Sequence, residues 1–146
     1  MAPLAARLEA ARGQARDPRI TVTDVEARLG TRYTVDTIAE LRRCFPDKRF
    51  VWLMGADNLL EFPHWRQWRR LFTLVPIAVF DRAPYSVRAL AGKTANVYAS
   101  SRLATKDARI LADRTPPAWI FFHTPQHPAS ATEIRAGGRS SPREPT

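Results

Sequence analysis

Cysteine is nearly absent: Cys44 stands alone in 146 residues, so no disulfide can close within the chain. A lone thiol fits a reducing cytoplasm. Its place on the apolar side of a predicted helix suggests a buried, inert group. Long hydrophobic runs are missing too, since none approaches the roughly 20 residues that a membrane-crossing helix needs. The expectation is a soluble domain with no membrane partner. Glycine is scarce, six residues in all, and nowhere forms a phosphate-binding P-loop or a dinucleotide fingerprint. His64, His123 and His127 show no metal-ligand spacing, and no cysteine stands near them. A Ser-His-Asp arrangement cannot be read either.

Acidic residues are few, 14 against 23 lysines and arginines, for a net charge of +9. That excess favours anionic partners, from nucleic acid to nucleotide phosphates. An arginine-rich composition gives the same number, so charge permits these partners without choosing among them. The opening MAPLAARLEAARGQAR could imitate a transit peptide. Glu9 and the regular apolar spacing read better as a helix of the fold.

What is present suits a single domain, because 45% of the residues are hydrophobic and this length can bury a core. Leu4, Ala5, Leu8 and Ala11 share one face of a helix over 3–15. Ile20-Thr21-Val22-Thr23 alternates as a strand does. Thr34 can cap a helix with Val35, Ile38, Leu41 and Phe45 on its apolar face, stopped by Pro46. Phe50 to Met54 is apolar at every position, the pattern of a strand buried on both faces of a parallel sheet. Helices follow over about 56–61 and 64–72, split by Phe62-Pro63. Pro76 to Phe80 is a second such strand and Trp119 to Phe122 a third, with helical patterns over 86–97 and 105–112 between them. The alternation predicts an α/β fold, a Rossmann-like parallel sheet with helices on both faces. The domain is expected over 1–136, with residues 137–146 a disordered tail.

Ligands in such sheets sit beyond the carboxyl ends of the strands. Gly55 and Asp57 fall at one such end, although a plain strand-to-helix junction with a solvated Asp would look the same. Trp65 and Trp68, three apart, share a helix side: one ring can stack on a flat heterocycle while the other packs in the core. Arg66, Arg69 and Arg70 read as a solvated face. Ser130-Ala131-Thr132-Glu133 has the form of a capping box, yet little helix can follow before Gly137-Gly138. A turn with free amides, two hydroxyls and Arg135 could cradle phosphate; a frayed terminal turn is the other reading.

Four segments, RYTVDTIAEL (32–41), VWLMGADNLLEFPHWRQW (51–68), PIAVFDRAPYS (76–86) and SATEIR (130–135), together resemble the bacterial nicotinate-nucleotide adenylyltransferases. These belong to the His-x-Gly-His nucleotidyltransferase superfamily. SATEIR is similar to that family's Ser-(Ser)-Thr-x-Ile-Arg signature, with Ala131 in place of the middle serine. The resemblance implies adenylyl transfer from ATP to nicotinate mononucleotide, giving deamido-NAD and pyrophosphate, with Mg²⁺ carried on ATP. It implies that Trp65 stacks on the nicotinate ring and Thr34 sits near its carboxylate. Gly55 and Asp57 would line the nucleotide pocket, Asp57 accepting from a ribose, with Arg82 an anion contact. Ser130, Thr132 and Arg135 would grip ATP phosphates, so that one crevice bounded by Asp57, Trp65 and the 130–135 turn holds both nucleotides. A homo-oligomer is compatible with all of this.

The chain departs from the family in one respect. The family opens with a strand and a Gly-Gly-Ser-Phe-Asn-Pro-x-His-x-Gly-His loop, and these 146 residues contain neither. No catalytic residue can therefore be assigned, and the expectation is a fold missing its first strand and helix, inactive or impaired by itself. In-frame sequence upstream of Met1 is expected to encode the loop. Rival readings are a transferase for another phosphorylated acceptor, a catalytically dead remnant that still binds nucleotide, and a basic nucleic-acid-binding module.

Overall fold

The computed structural model describes residues 2–123. Three short strands, β1 (Trp52–Gly55), β2 (Ile77–Phe80) and β3 (Trp119–Phe122), form one sheet in the order β1-β2-β3. All pairs are parallel, with Gly55 opposite Phe80 and Phe80 opposite Phe122, so the three carboxyl ends finish level. Side chains alternate between the two faces along each strand. Ile77, Val79, Trp119 and Phe121 join Met54 in the larger core, whereas Ala78 and Ile120 join Leu111 and Ala118 in a smaller one on the opposite face.

The larger core is roofed by helices α3 (Thr34–Cys44), α4 (Ala56–Glu61), α5 (Trp68–Leu74), α6 (Ser86–Leu90) and α7 (Lys93–Val97). Phe62 lies at its centre, fully buried, with Trp65 4.9 Å, Phe72 5.5 Å and Trp68 6.4 Å away between ring centroids. Tyr98 joins this roof to the far strand. Its ring lies flat on Phe72 at 4.0 Å, and its carbonyl accepts a 2.8 Å hydrogen bond from Trp119 Nε1. The smaller core is covered by a 3₁₀ helix over Thr105–Asp113. The expected α/β architecture, a parallel sheet covered on both faces, is what the chain builds.

Several local expectations are corrected. Residues 20–23 form no strand, and Ile20 is 58% exposed. A strand exists only by pairing its amides and carbonyls across a ladder, and no strand of the described residues pairs with this segment. β1 is not buried on both faces, because it is the sheet edge among the described residues and Leu53 is 61% exposed. The 3₁₀ helix beneath the sheet packs on β3 and leaves Leu53 uncovered. Thr34 is the first residue of α3, not its cap; Tyr33 holds the cap position without a side-chain hydrogen bond. The segment expected as a helix over 64–72 begins only at Trp68, after a 3₁₀ turn over Phe62–His64 and an extended Trp65. Trp65 and Trp68 thus do not share one helix. Cys44 is exposed, since it falls in the last turn of α3 where the roof ends. Helix α1 (Leu4–Gln14) forms as expected but buries no residue, and neither does α2 (Val25–Leu29). His127 and the tail over 137–146 lie outside the described residues.

Candidate active site at the strand ends

The level carboxyl edge of the sheet gathers polar groups from all three strands. Gly55 ends β1 and leads into α4, which places Asp57 in its first turn. Asp81 and Arg82 follow β2, and His123 follows β3. Arg82 Nη1 donates to Asp57 Oδ2 at 2.9 Å, an ion pair spanning the ends of β1 and β2. Asp57 Oδ1 is buried and has no partner among the described residues. The reason for glycine at 55 is steric: a Cβ there would lie 2.5 Å from that oxygen and 3.7 Å from Arg82 Cδ. Beside this pair, Arg82 N donates to Ser86 Oγ at 3.0 Å, and the Ser86 hydroxyl donates to Asp81. His123 Nδ1 stands 3.9 Å from the other Asp81 oxygen.

A cavity of about 290 Å³ opens where α3 begins and the 3₁₀ turn ends. Thr34, Val35 and Leu71 line it, together with His64, Trp65 and the pair Arg32 and Tyr33. Arg66 completes its rim. Trp65 is half-buried, one side of its ring held by Phe62. A second cavity, of about 430 Å³, lies between α1, α2, α3 and β1 and shares Thr34. Its wall includes Trp52, whose indole N–H is buried without a partner among the described residues.

Residues 1–137 match the cytidylyltransferase-like family. A "Probable nicotinate-nucleotide adenylyltransferase" of Parvibaculum lavamentivorans is 49% identical over 138 residues, which is 94% of this chain and 69% of the relative. Similarly named proteins are 48% identical in Cereibacter sphaeroides, over 94% of this chain and 73% of theirs, and in Gluconacetobacter diazotrophicus, over 100% and 68%. The chain belongs to the nicotinate-nucleotide adenylyltransferase family.

Of the residues expected to form the site, Thr34 and Trp65 are brought by the fold into one cavity. Gly55, Asp57 and Arg82 meet each other at the strand ends, but none of them lines that cavity. Ser130, Thr132 and Arg135 lie outside the described residues. Sequence reasoning missed Asp81, Ser86 and His123 as a group, and Tyr33 with Arg32 and Arg66 at the cavity rim. Asp81 immediately follows an apolar run, the same signal that drew notice to Asp57. Nothing local marks Tyr33, because Arg66, which lies over its ring, comes from a distant segment of the chain.

No helix among the described residues is long and apolar enough to cross a membrane. Nor do the described residues contain a cluster of three His, Cys, Asp or Glu side chains that could hold a metal ion.

Proposed function

We propose that the chain serves adenylyl transfer from ATP to nicotinate mononucleotide, giving deamido-NAD and pyrophosphate. The observation that carries this reading is that Trp65 and Thr34, the first residue of α3, line one cavity. Trp65 would stack on the nicotinate ring, and Thr34 would donate to its carboxylate. Asp57 would accept a ribose hydroxyl through Oδ1, the oxygen that the Arg82 ion pair leaves over. Arg82 then acts mainly by holding that carboxylate in place, with spare donors for a phosphate. Ser130, Thr132 and Arg135 would take the ATP phosphates. Mg²⁺ fits as an ion carried on the triphosphate, which needs few protein ligands and hence no three-residue cluster.

The chemistry asked of such a site is alignment of an attacking phosphate with the α-phosphorus of ATP, and neutralisation of charge on the pyrophosphate that leaves. No covalent intermediate on the protein is needed. The 146 residues contain no His-x-Gly-His pair to share that charge, so by themselves they should bind nucleotide while transferring poorly.

Calorimetric titration with ATP and with nicotinate mononucleotide, beside an assay of pyrophosphate release across several phosphorylated acceptors, tests the reading. Binding of nicotinate mononucleotide that weakens about tenfold or more in Trp65→Ala is expected from the loss of stacking. Equal binding in wild type and variant would reject the assignment. A steep salt dependence with no preference for mononucleotides would point instead to a nucleic-acid-binding module.

A further inference from the structure

Between β2 and α6 the chain turns, and from this turn Arg82 reaches across to Asp57 at the end of β1. The Arg82 side chain is 53% exposed and that of Asp57 29%. A long side chain on an open turn loses rotamer freedom when it is held in one geometry, so an exposed ion pair alone fixes little. What keeps the guanidinium on this one carboxylate must therefore lie in the backbone of the turn.

Both backbone groups of Arg82 are engaged. Its N–H donates to Ser86 Oγ at 3.0 Å, and its carbonyl accepts from Tyr85 N at 2.8 Å. The Ser86 hydroxyl donates in turn to Asp81. A hydroxyl can accept and donate at once, so Ser86 closes the turn on Asp81 and Arg82 together. Asp81 is anchored on the far side, where its N–H donates to the Phe122 carbonyl at the end of β3 at 2.9 Å. Ser86 is anchored as the first residue of α6, whose Ala89 is buried in the larger core. Arg82 is thus suspended between a strand end and a packed helix.

We propose that Ser86, held by Asp81, is a positioning residue: it fixes the backbone of Arg82 so that the guanidinium stays on Asp57 Oδ2 and leaves Asp57 Oδ1 for a nucleotide hydroxyl. The proposal rests on the nucleotide reading of the strand ends and adds what sets their geometry. Ser86 touches no nucleotide in this account. It acts only through Arg82, and Arg82 acts through the carboxylate it grips. Without the hydroxyl, the Arg82 amide loses its acceptor and the turn can carry the guanidinium away, leaving Asp57 free to rotate out of line.

The test is calorimetric titration with ATP and with nicotinate mononucleotide of wild type, Arg82→Met, Ser86→Ala, Ser86→Thr and the Arg82→Met, Ser86→Ala double variant. The nucleotide that Arg82→Met weakens should also weaken in Ser86→Ala, by about threefold to tenfold, the scale of one net hydrogen bond. Ser86→Thr keeps the hydroxyl and should stay within about twofold of wild type. In the double variant Ser86→Ala should add nothing to Arg82→Met, because a residue that acts through Arg82 then has nothing to act on. Thermal melting checks that each variant folds, and Asp81→Ala, which takes away the hydroxyl's acceptor, gives a second route to the same loss. Equal losses from Ser86→Ala with and without Arg82 would mean a general role in the fold and would overturn the proposal. Wild-type affinity in Ser86→Ala, or in Arg82→Met, would overturn it as well and leave the nucleotide reading standing. Failure of wild type to bind either nucleotide would sink both.

Discussion

Residues 34–122 and residues 2–31 fold on different terms. The first region carries the buried core, from Val35 to Phe121. The second contains two helices, α1 and α2, in which no residue is buried. Side-chain hydrogen bonds join the regions: Thr31 and Thr37 hydroxyls meet at 2.6 Å, and Thr37 donates to Glu26 at 3.5 Å. α1 is rich in alanine, leucine and arginine, the residues that give up least on entering a helix. Isolated helices below about 12–15 residues are nonetheless marginal in water. A segment can therefore adopt its secondary structure by local preference and still add little to the stability of the whole.

The sharpest way to break that comparison is Phe62→Ala. Phe62 is fully buried among three aromatic rings, and its truncation should cost about 3–5 kcal/mol in denaturant unfolding. A cost below about 1 kcal/mol would mean that the core is not where the packing places it.

Gly55→Ala is next. Its Cβ would sit on Asp57 Oδ1, so the carboxylate must swing away from Arg82, at about 1–3 kcal/mol, with weaker nucleotide binding. Asp57→Ala in the same chain removes the obstacle. The double variant should then be less unstable than the sum of the singles, a coupling that an unrelated backbone effect would not give.

Leu4→Ala belongs to the other region and should shift stability by no more than about 0.5 kcal/mol. Hydrogen exchange sharpens the contrast, with α1 amides expected to exchange far faster than those of β2. Protection of α1 comparable to β2 would show that the N-terminal helix is held by more than its own turns.

The smallest effect is a pH dependence at Asp17. Its carboxyl is held below the ordinary value of 3.8 by side-chain and then backbone hydrogen bonds with Arg19. A depressed carboxyl contributes stability above its unfolded value and loses it as pH falls through the folded one. Asp17→Asn should therefore differ from wild type only above that acid window, and only slightly, since the pair is solvated. NMR titration of the carboxyl reads the direction of the shift.

Much of the sheet was legible because three continuous apolar runs, around Trp52, Ile77 and Trp119, stand between segments of helical pattern. Trp65 was singled out by its place in the chain and Thr34 by a family resemblance, and the fold places them in one cavity without any local pattern that joins the two. Ile20 to Thr23 misled because alternation records what a strand would bury, not whether a neighbour exists to pair with it. Leu53 misled for a related reason: being central or at an edge is a property of topology, which five consecutive apolar residues do not encode. Arg66 looked like one of three solvated arginines, and what distinguishes it is a tyrosine brought from α3's N-terminal side. Cys44 lay on the expected helix but past the point where the roof reaches.

Tyr98 ties two distant parts of the molecule together. Its ring lies on Phe72 in α5 and its carbonyl holds Trp119 in β3, while Leu71, the neighbour of Phe72, forms a wall of the Thr34–Trp65 cavity. The wall is thereby linked, at one remove, to the strand at the opposite edge of the sheet among the described residues. Loosening that single rivet would soften the cavity without altering any residue that faces into it.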